Sequence, residues 1–488
     1  GLAEWSARLP AVLSAIGCLF LVYRFARIQW GMWEALWSCL ALVTSVEFLV
    51  LSRTVIFDMT LTLFIACALM SFYAAQKAGR STSRNLHWLT MYAAMGAATL
   101  VKGLLGVIIP GMVIFCYLLF SRKWSLLSRM RIVPGAIVFM AIVVPWYAWV
   151  EVRNPGYLRY FLWEEHFVRY LTPHFERTRN WYYFFAVLGV GFLPWSLILP
   201  VTIRSLFKRL ADEVNLFLTL WIILPFIFFS ASHAKLPHYI LPIFPALALL
   251  TGRALVTQGY DSAAKSRWWP FFILLIFPAV FALYFLIGVG WPELLPVEIR
   301  PGVIQRVAVI GVYAAVFVLV FAAFALGHIK QLWKDGGVAL LCTSVSLALF
   351  FVLFTQIIAA TSFHRASKSL AQQLAAVIEP EDRLVFYNTY IEGIPFYLRI
   401  DKPIWIVQEA DKGVVMGSYY VRERRPMAAA GYGPVFFTFE EFADQWKKNE
   451  TTFRVLVRDK GLSRLGADIG VMPRNVLSFD KYMLVTNR

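Results

Sequence analysis

Residues 122–153 read RKWSLLSRMRIVPGAIVFMAIVVPWYAWVEVR: four basic residues, Arg122, Lys123, Arg129 and Arg131, then an uncharged run from Ile132 to Val150. Coiled into a helix, a run of that length covers the ~30 Å hydrocarbon core of a bilayer. The pattern recurs along most of the chain. About twelve spans are expected, at 9–27, 31–50, 58–76, 86–101, 103–120, 132–150, 183–203, 213–230, 237–256, 268–290, 303–326 and 337–360. The fourth and fifth are separated by Val101-Lys102-Gly103 alone.

The hinges between these spans alternate in charge. One set is basic: Arg24 and Arg27; Lys77, Arg80 and Arg84; the residues of 122–131; Arg204, Lys208 and Arg209; Arg253, Lys265 and Arg267; Lys330 and Lys334. By the positive-inside rule these hinges are cytoplasmic and the sparse ones face outward. The exception is the outward loop 151–182, which carries Arg153, Arg159, Arg169, Arg177 and Arg179. Arginines held on the side that topology disfavours point to work there, and the guanidinium fork suits a phosphate.

Composition agrees with a polytopic α-helical membrane protein: 59% hydrophobic residues, 16% aromatic, mean hydropathy +0.64 over 488 residues. In a soluble protein the net charge of +17 would hint at nucleic acid. Here the excess sits in cytoplasmic hinges, where topology and anionic lipid headgroups account for it, and no nucleic-acid partner is expected. All five cysteines, Cys18, Cys39, Cys67, Cys116 and Cys342, fall inside apolar spans, without the spacing of a zinc site or a disulfide framework.

Two domains are expected: a membrane domain over 1–361 and a water-soluble one over 362–488. In the second, Arg365 to Ile378 has helical spacing and stops at Glu379-Pro380. Short β-rich runs follow at 384–387, 404–407, 435–438, 454–457 and 483–486, with a helical stretch from Phe439 to Asn449. Strands interleaved with helices predict a small α/β domain. The turn Gly431-Tyr432-Gly433 leads into a strand, not a helix N-terminus, so a nucleotide site is not expected; the domain reads as a packing or acceptor-guiding module.

Ionisable residues at outward span ends carry the functional argument, because charge in a membrane is costly and defaults to function. Asp58 opens the third span, five residues after Arg53. Either the two form an interfacial ion pair at a helix N-terminus, or Asp58 faces an outward cavity. Lys102 either snorkels to headgroups or binds a ligand. The segment Phe161 to Tyr170 mixes Trp163, Glu164, Glu165, His166, Arg169 and Tyr170 at helical spacing. An amphipathic helix on the membrane surface explains the aromatics but not five arginines. Glu165, His166 and His174 offer metal-ligand atoms without a recognised spacing, so His166 is a weak metal candidate. A third outward stretch, Ser230 to Tyr239, holds Lys235 and two histidines in a tight loop before Pro242 and Pro245. Prolines there free carbonyls and kink the helix, which widens a cavity or serves packing.

Taken in order, Ser6-Ala7-Arg8-Leu9-Pro10, Arg53…Asp58, Lys102-Gly103, Pro145-Trp146, Glu165-His166…Arg169-Tyr170, Pro194-Trp195 and Lys235-Leu236-Pro237…Tyr239 form a recognisable string. It resembles the bacterial lipid A aminoarabinose transferases, in the protein-mannosyltransferase-like group of polytopic GT-C glycosyltransferases, over about residues 1–360. The resemblance implies a donor of undecaprenyl phosphate carrying 4-amino-4-deoxy-L-arabinose and a lipid A phosphate as acceptor. It places the reaction and the C-terminal domain on the periplasmic side of a Gram-negative inner membrane, in a monomer, with resistance to polymyxin as the outcome. Carried over, Asp58 is an acid near the reaction centre, and Lys102, Arg169, Lys235 and Arg53 are phosphate-binding candidates. Glu165, His166, Tyr170 and Tyr239 are weaker substrate contacts. No cofactor is required, a divalent metal being optional.

Such a transfer breaks the bond from the anomeric carbon to a phosphate oxygen through an oxocarbenium-like transition state. Charge grows on the departing phosphate, so pre-placed cations stabilise the transition state selectively. The nucleophile is a phosphate already ionised near neutral pH, which reduces the need for a general base; the resemblance implies inversion at the anomeric carbon. The family's acidic motif in the first outward loop is expected upstream of Gly1. Charge parity places Gly1 outside, without a signal-like basic start, so a thirteenth span and a loop bearing that acid are expected before it. Two rivals stand beside this reading. One is another polyprenyl-phosphate-sugar transferase acting on protein or glycan. The other is a lipid-linked-sugar flippase, for which internal repeats and broken midplane helices would be expected.

Overall fold

The computed structural model describes residues 4–168, 179–209, 212–259, 344, 367–400, 402–408, 435–479 and 481–488. They fall into two compact units, one containing the helices of 4–259 and the other residues 367–488. The boundary expected at 361–362 lies outside the described residues, as do the expected spans 268–290, 303–326 and, Ser344 apart, 337–360.

The first unit begins with α1 (Glu4–Gln29), α2 (Met32–Val43), α3 (Val46–Leu51), α4 (Asp58–Lys77), α5 (Ser81–Lys102), α6 (Leu105–Ser121) and α7 (Ile132–Arg153). A short α8 (Tyr157–Arg159) runs into a π-helical segment, Tyr160–Val168. Then come α9 (Tyr183–Gly191), a 3-10 turn (Trp195–Ile198), α10 (Leu199–Phe207) and α11 (Glu213–Ala231). A second 3-10 turn, Pro237–Ile243, leads into α12 (Phe244–Gly259). Among the described residues five helical segments are long and apolar enough to cross a bilayer, or six if α9 and the Trp195–Phe207 segment are one bent span. The nine expected spans that fall on described residues all coincide with helices. Trp88, Trp195, Trp221, Tyr73 and Tyr117 fill the interior, while α7 turns Val133, Ile137, Met140, Val144 and Trp149 outward, as a lipid-facing helix must.

Two expected spans are not continuous. The run 31–50 breaks at Thr44-Ser45 into α2 and α3, and the run 183–203 bends by 106° between Gly191 and Trp195. A helix break leaves backbone groups unpaired, which hydrocarbon does not tolerate. Here the two breaks complete each other. The Val46 backbone N–H donates to the Leu193 carbonyl at 3.1 Å, and the Trp195 indole N–H donates to Thr44 Oγ1 at 2.8 Å. The Thr44 and Ser45 hydroxyls donate back to the Leu40 and Leu42 carbonyls. Periodicity saw two uniform apolar runs because nothing in hydropathy encodes that reciprocity.

The charge sorting has a structural counterpart at one end of the bundle. Lys77 and Lys123 both reach Glu213, at 3.1 and 2.5 Å, and Arg253 holds Asp212 at 2.9 Å and Asn215 at 2.7 Å. Asp58 lies at the other end of α4, a helix of 20 residues, about 30 Å from Lys77.

The second unit is a six-stranded sheet in the order β3-β2-β1-β4-β6-β5. Its strands are β1 (Arg383–Tyr387), β2 (Trp405–Val407), β3 (Phe436–Phe437), β4 (Phe453–Arg458), β5 (Arg474–Phe479) and β6 (Tyr482–Thr486). The first four are parallel and β6 and β5 antiparallel. Alternation assigns the faces: Val385, Tyr387 and Val455 pack under α15 (Phe439–Lys448) and α16 (Leu462–Ile469). Leu384, Phe386 and Leu456 pack under α13 (Ser367–Ala375) and α14 (Gly393–Leu398). Thr438 and Glu441 close a capping box at the start of α15, the local signal that makes this helix legible. The α/β expectation holds, with one strand more than the five expected. β5 escaped because it lies at a sheet edge with no residue fully buried, Arg474, Asn475 and Ser478 breaking up the partly covered Val476, Leu477 and Phe479. The turn Gly431-Tyr432-Gly433 lies outside the described residues.

Candidate active site

Residues 102–104 join the elements of the site. α5 ends on Lys102, and Gly103 follows with φ +66°, the left-handed conformation in which a helix stops without penalty only for glycine. The break falls one residue later than expected. A side chain at Gly103 would also collide with the His166 ring and come within 2.8 Å of Phe161. The His166 ring is held from both sides: Nδ1 donates to the Phe161 carbonyl at 2.6 Å, and Nε2 accepts from the Leu104 N–H at 3.1 Å. Those partners fix the neutral Nδ1–H tautomer. They correct the expectation of His166 as a metal ligand, because the lone pair a metal would take already serves the Leu104 amide. Among the described residues no three His, Cys, Asp or Glu side chains gather as a metal site.

Lys102 then turns toward the start of α4. Its Nζ lies 2.5 Å from Asp58 Oδ1, and 4.8 Å from the centroid of the Tyr239 ring. On the other carboxyl oxygen, His238 Nε2 approaches Asp58 Oδ2 to 3.7 Å. The His238 and Tyr239 rings pack edge to face at 5.2 Å. The Asp58 side chain is 6% exposed, whereas Lys102 and His238 are 26% and 23% exposed. A carboxylate thus sits behind two basic side chains that are each partly exposed. That is the arrangement expected where negative charge must be held and released.

The sequence-expected residues divide accordingly. Asp58, Lys102 and Tyr239 come together. Arg53 is exposed and makes no ion pair with a described residue; the Arg53–Asp58 pair considered from sequence is replaced by Lys102–Asp58. Lys235 is buried but spends its ammonium on carbonyls, donating to Ser232 at 2.5 Å and Arg179 at 3.1 Å. Burial lowers its pKa. It fixes the turn ahead of His238 and ties it to Arg179. Arg169, Tyr170 and His174 lie outside the described residues, and so does the Glu165 side chain. Of the loop arginines, Arg153 stacks on Trp149 at 5.0 Å, and Arg159 and Arg179 are exposed. Glu151 anchors the loop by accepting the Gly156 and Leu158 N–H groups, each at 2.8 Å.

Two residues had no role from sequence. His238 meets Asp58 only through tertiary folding. Glu47, on α3, is buried, and neither carboxyl oxygen has a hydrogen-bond partner. It packs on Gly191, where any side chain would strike its carboxyl, within electrostatic reach of Asp58. An acid inside the apolar run 31–50 was the available signal for it.

A bundle of bent and broken apolar helices with an acid–lysine pair at one end defines a polytopic helical membrane protein. Residues 1–149 match the family described as Dolichyl-phosphate-mannose-protein mannosyltransferase. The chain is similar to proteins named undecaprenyl phosphate-alpha-4-amino-4-deoxy-L-arabinose arabinosyl transferase. It is 32% identical to that of Pseudomonas aeruginosa (strain UCBPP-PA14) over 258 residues, 52% of this chain and 46% of that protein. With transferase 2 of Proteus mirabilis (strain HI4320) the identity is 29% over 272 residues, 55% and 48% of the two chains. The chain thus spans about half the length of the curated relatives it matches. The crystal structure of ArnT from Cupriavidus metallidurans bound to undecaprenyl phosphate superimposes with a TM-score of 0.81 at 28% identity, covering 100% of this chain and 85% of that one.

Proposed function

We propose that this chain moves 4-amino-4-deoxy-L-arabinose from undecaprenyl phosphate to a phosphate of lipid A. The observation that carries the reading is the Asp58–Lys102 pair with its flanking His238 and Tyr239, on a fold shared with a protein crystallised with undecaprenyl phosphate. Lys102 is the phosphate-binding cation. As the donor enters, its phosphate competes with Asp58 for the ammonium, and Asp58 is left facing the anomeric carbon, where positive charge develops in the transition state. Arg169 adds a second cation from the loop, and Arg53 and Lys235 are further candidates for the phosphate. The acceptor phosphate attacks as an anion, so inversion follows from a single displacement, and no metal or other cofactor is required. The site and the sheet domain face the periplasm of a Gram-negative inner membrane, with about twelve spans in this chain, and the enzyme works as a monomer.

The test is reconstitution in vesicles with the lipid-linked aminosugar and lipid A, with the product read by mass spectrometry. A gain of one aminopentose on lipid A is expected. Lipid A left unmodified in the presence of folded protein and donor would remove the reading. The match of residues 1–149 to a protein mannosyltransferase family supports a second reading, transfer of a polyprenyl-linked hexose to protein. A glycosylated protein in the same vesicles, without modified lipid A, would favour it.

A further inference from the structure

We propose that His238 is a further catalytic residue: the general acid that gives a proton to the departing phosphate. The inference rests on the transfer reaction proposed above. Asp58 divides its two oxygens between Lys102 at 2.5 Å and His238 at 3.7 Å. The Lys102 ammonium is already balanced by that carboxylate. His238 is the one member whose charge changes between about pH 5 and 8 when its imidazole is unperturbed. Its position is built. Pro237 begins the 3-10 turn and fixes the backbone ahead of it, and the Tyr239 ring packs against the imidazole. Lys235 anchors the preceding turn through the Ser232 and Arg179 carbonyls.

The chemistry calls for such a group. The donor is a phosphodiester with one negative charge, and its phosphate departs as a monoester with one more. In the step, the bond between the anomeric carbon and the phosphate oxygen breaks, and its electron pair stays on that oxygen. An oxygen of the acceptor phosphate forms the new bond to the same carbon. The His238 imidazolium passes its proton to the departing phosphate and is reprotonated from water before the next turnover. Asp58, behind the ring, stabilises the imidazolium until that moment, as a carboxylate does for a catalytic histidine. Ionisable groups among the described residues sit on the elements around the Pro237 turn. Asp58 is on α4, Lys102 on α5, Glu47 on α3 and Tyr183 on α9, with Lys235 and Tyr239 beside His238 itself. The ionisable residues of α11 and α12, Glu213 and Arg253, lie with the ion pairs at the opposite end.

The experiment is the pH dependence of transfer by the full chain in vesicles, from about pH 5.5 to 9.5, with lipid A saturating. Wild type should give a bell. The acid limb belongs to the acceptor phosphate, whose second ionisation lies near about 6, and the alkaline limb to His238. His238→Gln should run about 100-fold slower, keep the acid limb and lose the alkaline one. His238→Lys should recover part of the rate with its alkaline limb displaced to higher pH. Melting in detergent and binding of undecaprenyl phosphate establish that both variants are folded. A wild-type bell and rate in His238→Gln would overturn the proposal. So would equal loss in both folded variants, which would make the ring a packing element. If wild type itself transfers no sugar, the reading beneath falls, and the inference with it.

Discussion

Asp58→Asn keeps the shape of the side chain and removes its charge, so it isolates what the Lys102 pair contributes. An exposed ion pair is worth about 0–1 kcal/mol, whereas removing one partner of a fully buried pair costs about 3–5 kcal/mol. With Asp58 6% exposed and Lys102 26% exposed, the pair falls between those limits. A charge-assisted hydrogen bond of about 1.5–3 kcal/mol is the fitting magnitude. The Asn carbonyl still accepts from Lys102 Nζ, so the geometry survives while the charge compensation does not. At about 1.4 kcal/mol per tenfold, transfer should fall roughly 10–100-fold, and Asp58→Ala should be little worse. The assay is initial-rate transfer in vesicles, with melting in detergent measured alongside. A double-mutant cycle with Lys102→Met completes it: residues acting as one unit lose less together than the sum of their separate losses. Full transfer by Asp58→Asn would refute the argument, and strictly additive losses would show that the pair is not the working unit.

Arg169→Ala should lower transfer roughly 10–100-fold through a lost phosphate contact while leaving expression and melting intact; unmodified rates and polymyxin resistance would remove it from the site. Gly103→Ala forces a side chain onto φ +66° and into the His166 ring, which should cost about 1–3 kcal/mol; an unchanged melting temperature would show that the 102–104 junction is slack. In the sheet unit, burial first, and then the hydrogen bond to Asp468, raise the pKa of Tyr387. The folded state therefore keeps that proton where the unfolded chain releases it, and stability is lost as pH rises above about 10. Tyr387→Phe should flatten the fall in melting temperature above that pH, and a parallel fall in both proteins would contradict the assignment.

Much of this was legible in the chain. Spans long enough to cross a bilayer and the helical stretch from Phe439 each follow from a local rule, and each matches an element. Asp58 and Lys102 could be singled out because ionisable groups at the ends of apolar runs are expensive. What sequence did not carry was their pairing: Arg53, five residues away, was the local candidate, and Lys102, 44 residues on, is the partner. The same limit hid His238, which reaches Asp58 only because the Pro237 turn aims it there. His166 read as a metal ligand because its backbone partners, Phe161 and Leu104, leave no trace in residue type. β5 was missed because its three apolar residues, Val476, Leu477 and Phe479, are too few and too unevenly spaced among polar ones to read as a strand.

The paired interruptions of α2–α3 and α9–α10 bear on how the protein is made. Trp195 lies 151 residues after Thr44, so the α2–α3 segment leaves the ribosome long before the Leu193 carbonyl and the Trp195 indole N–H that complete it exist. Until then the Val46 N–H lacks its Leu193 partner and must take water, which holds the Thr44–Glu47 stretch at the membrane surface. Arrival of residues 191–195 latches it inward, with Gly191 closing over Glu47. Assembly of this end of the active site is therefore a late event in biogenesis. Nascent chains arrested before residue 191 should leave a probe at position 47 open to water-soluble reagents, whereas chains extended beyond residue 207 should shield it.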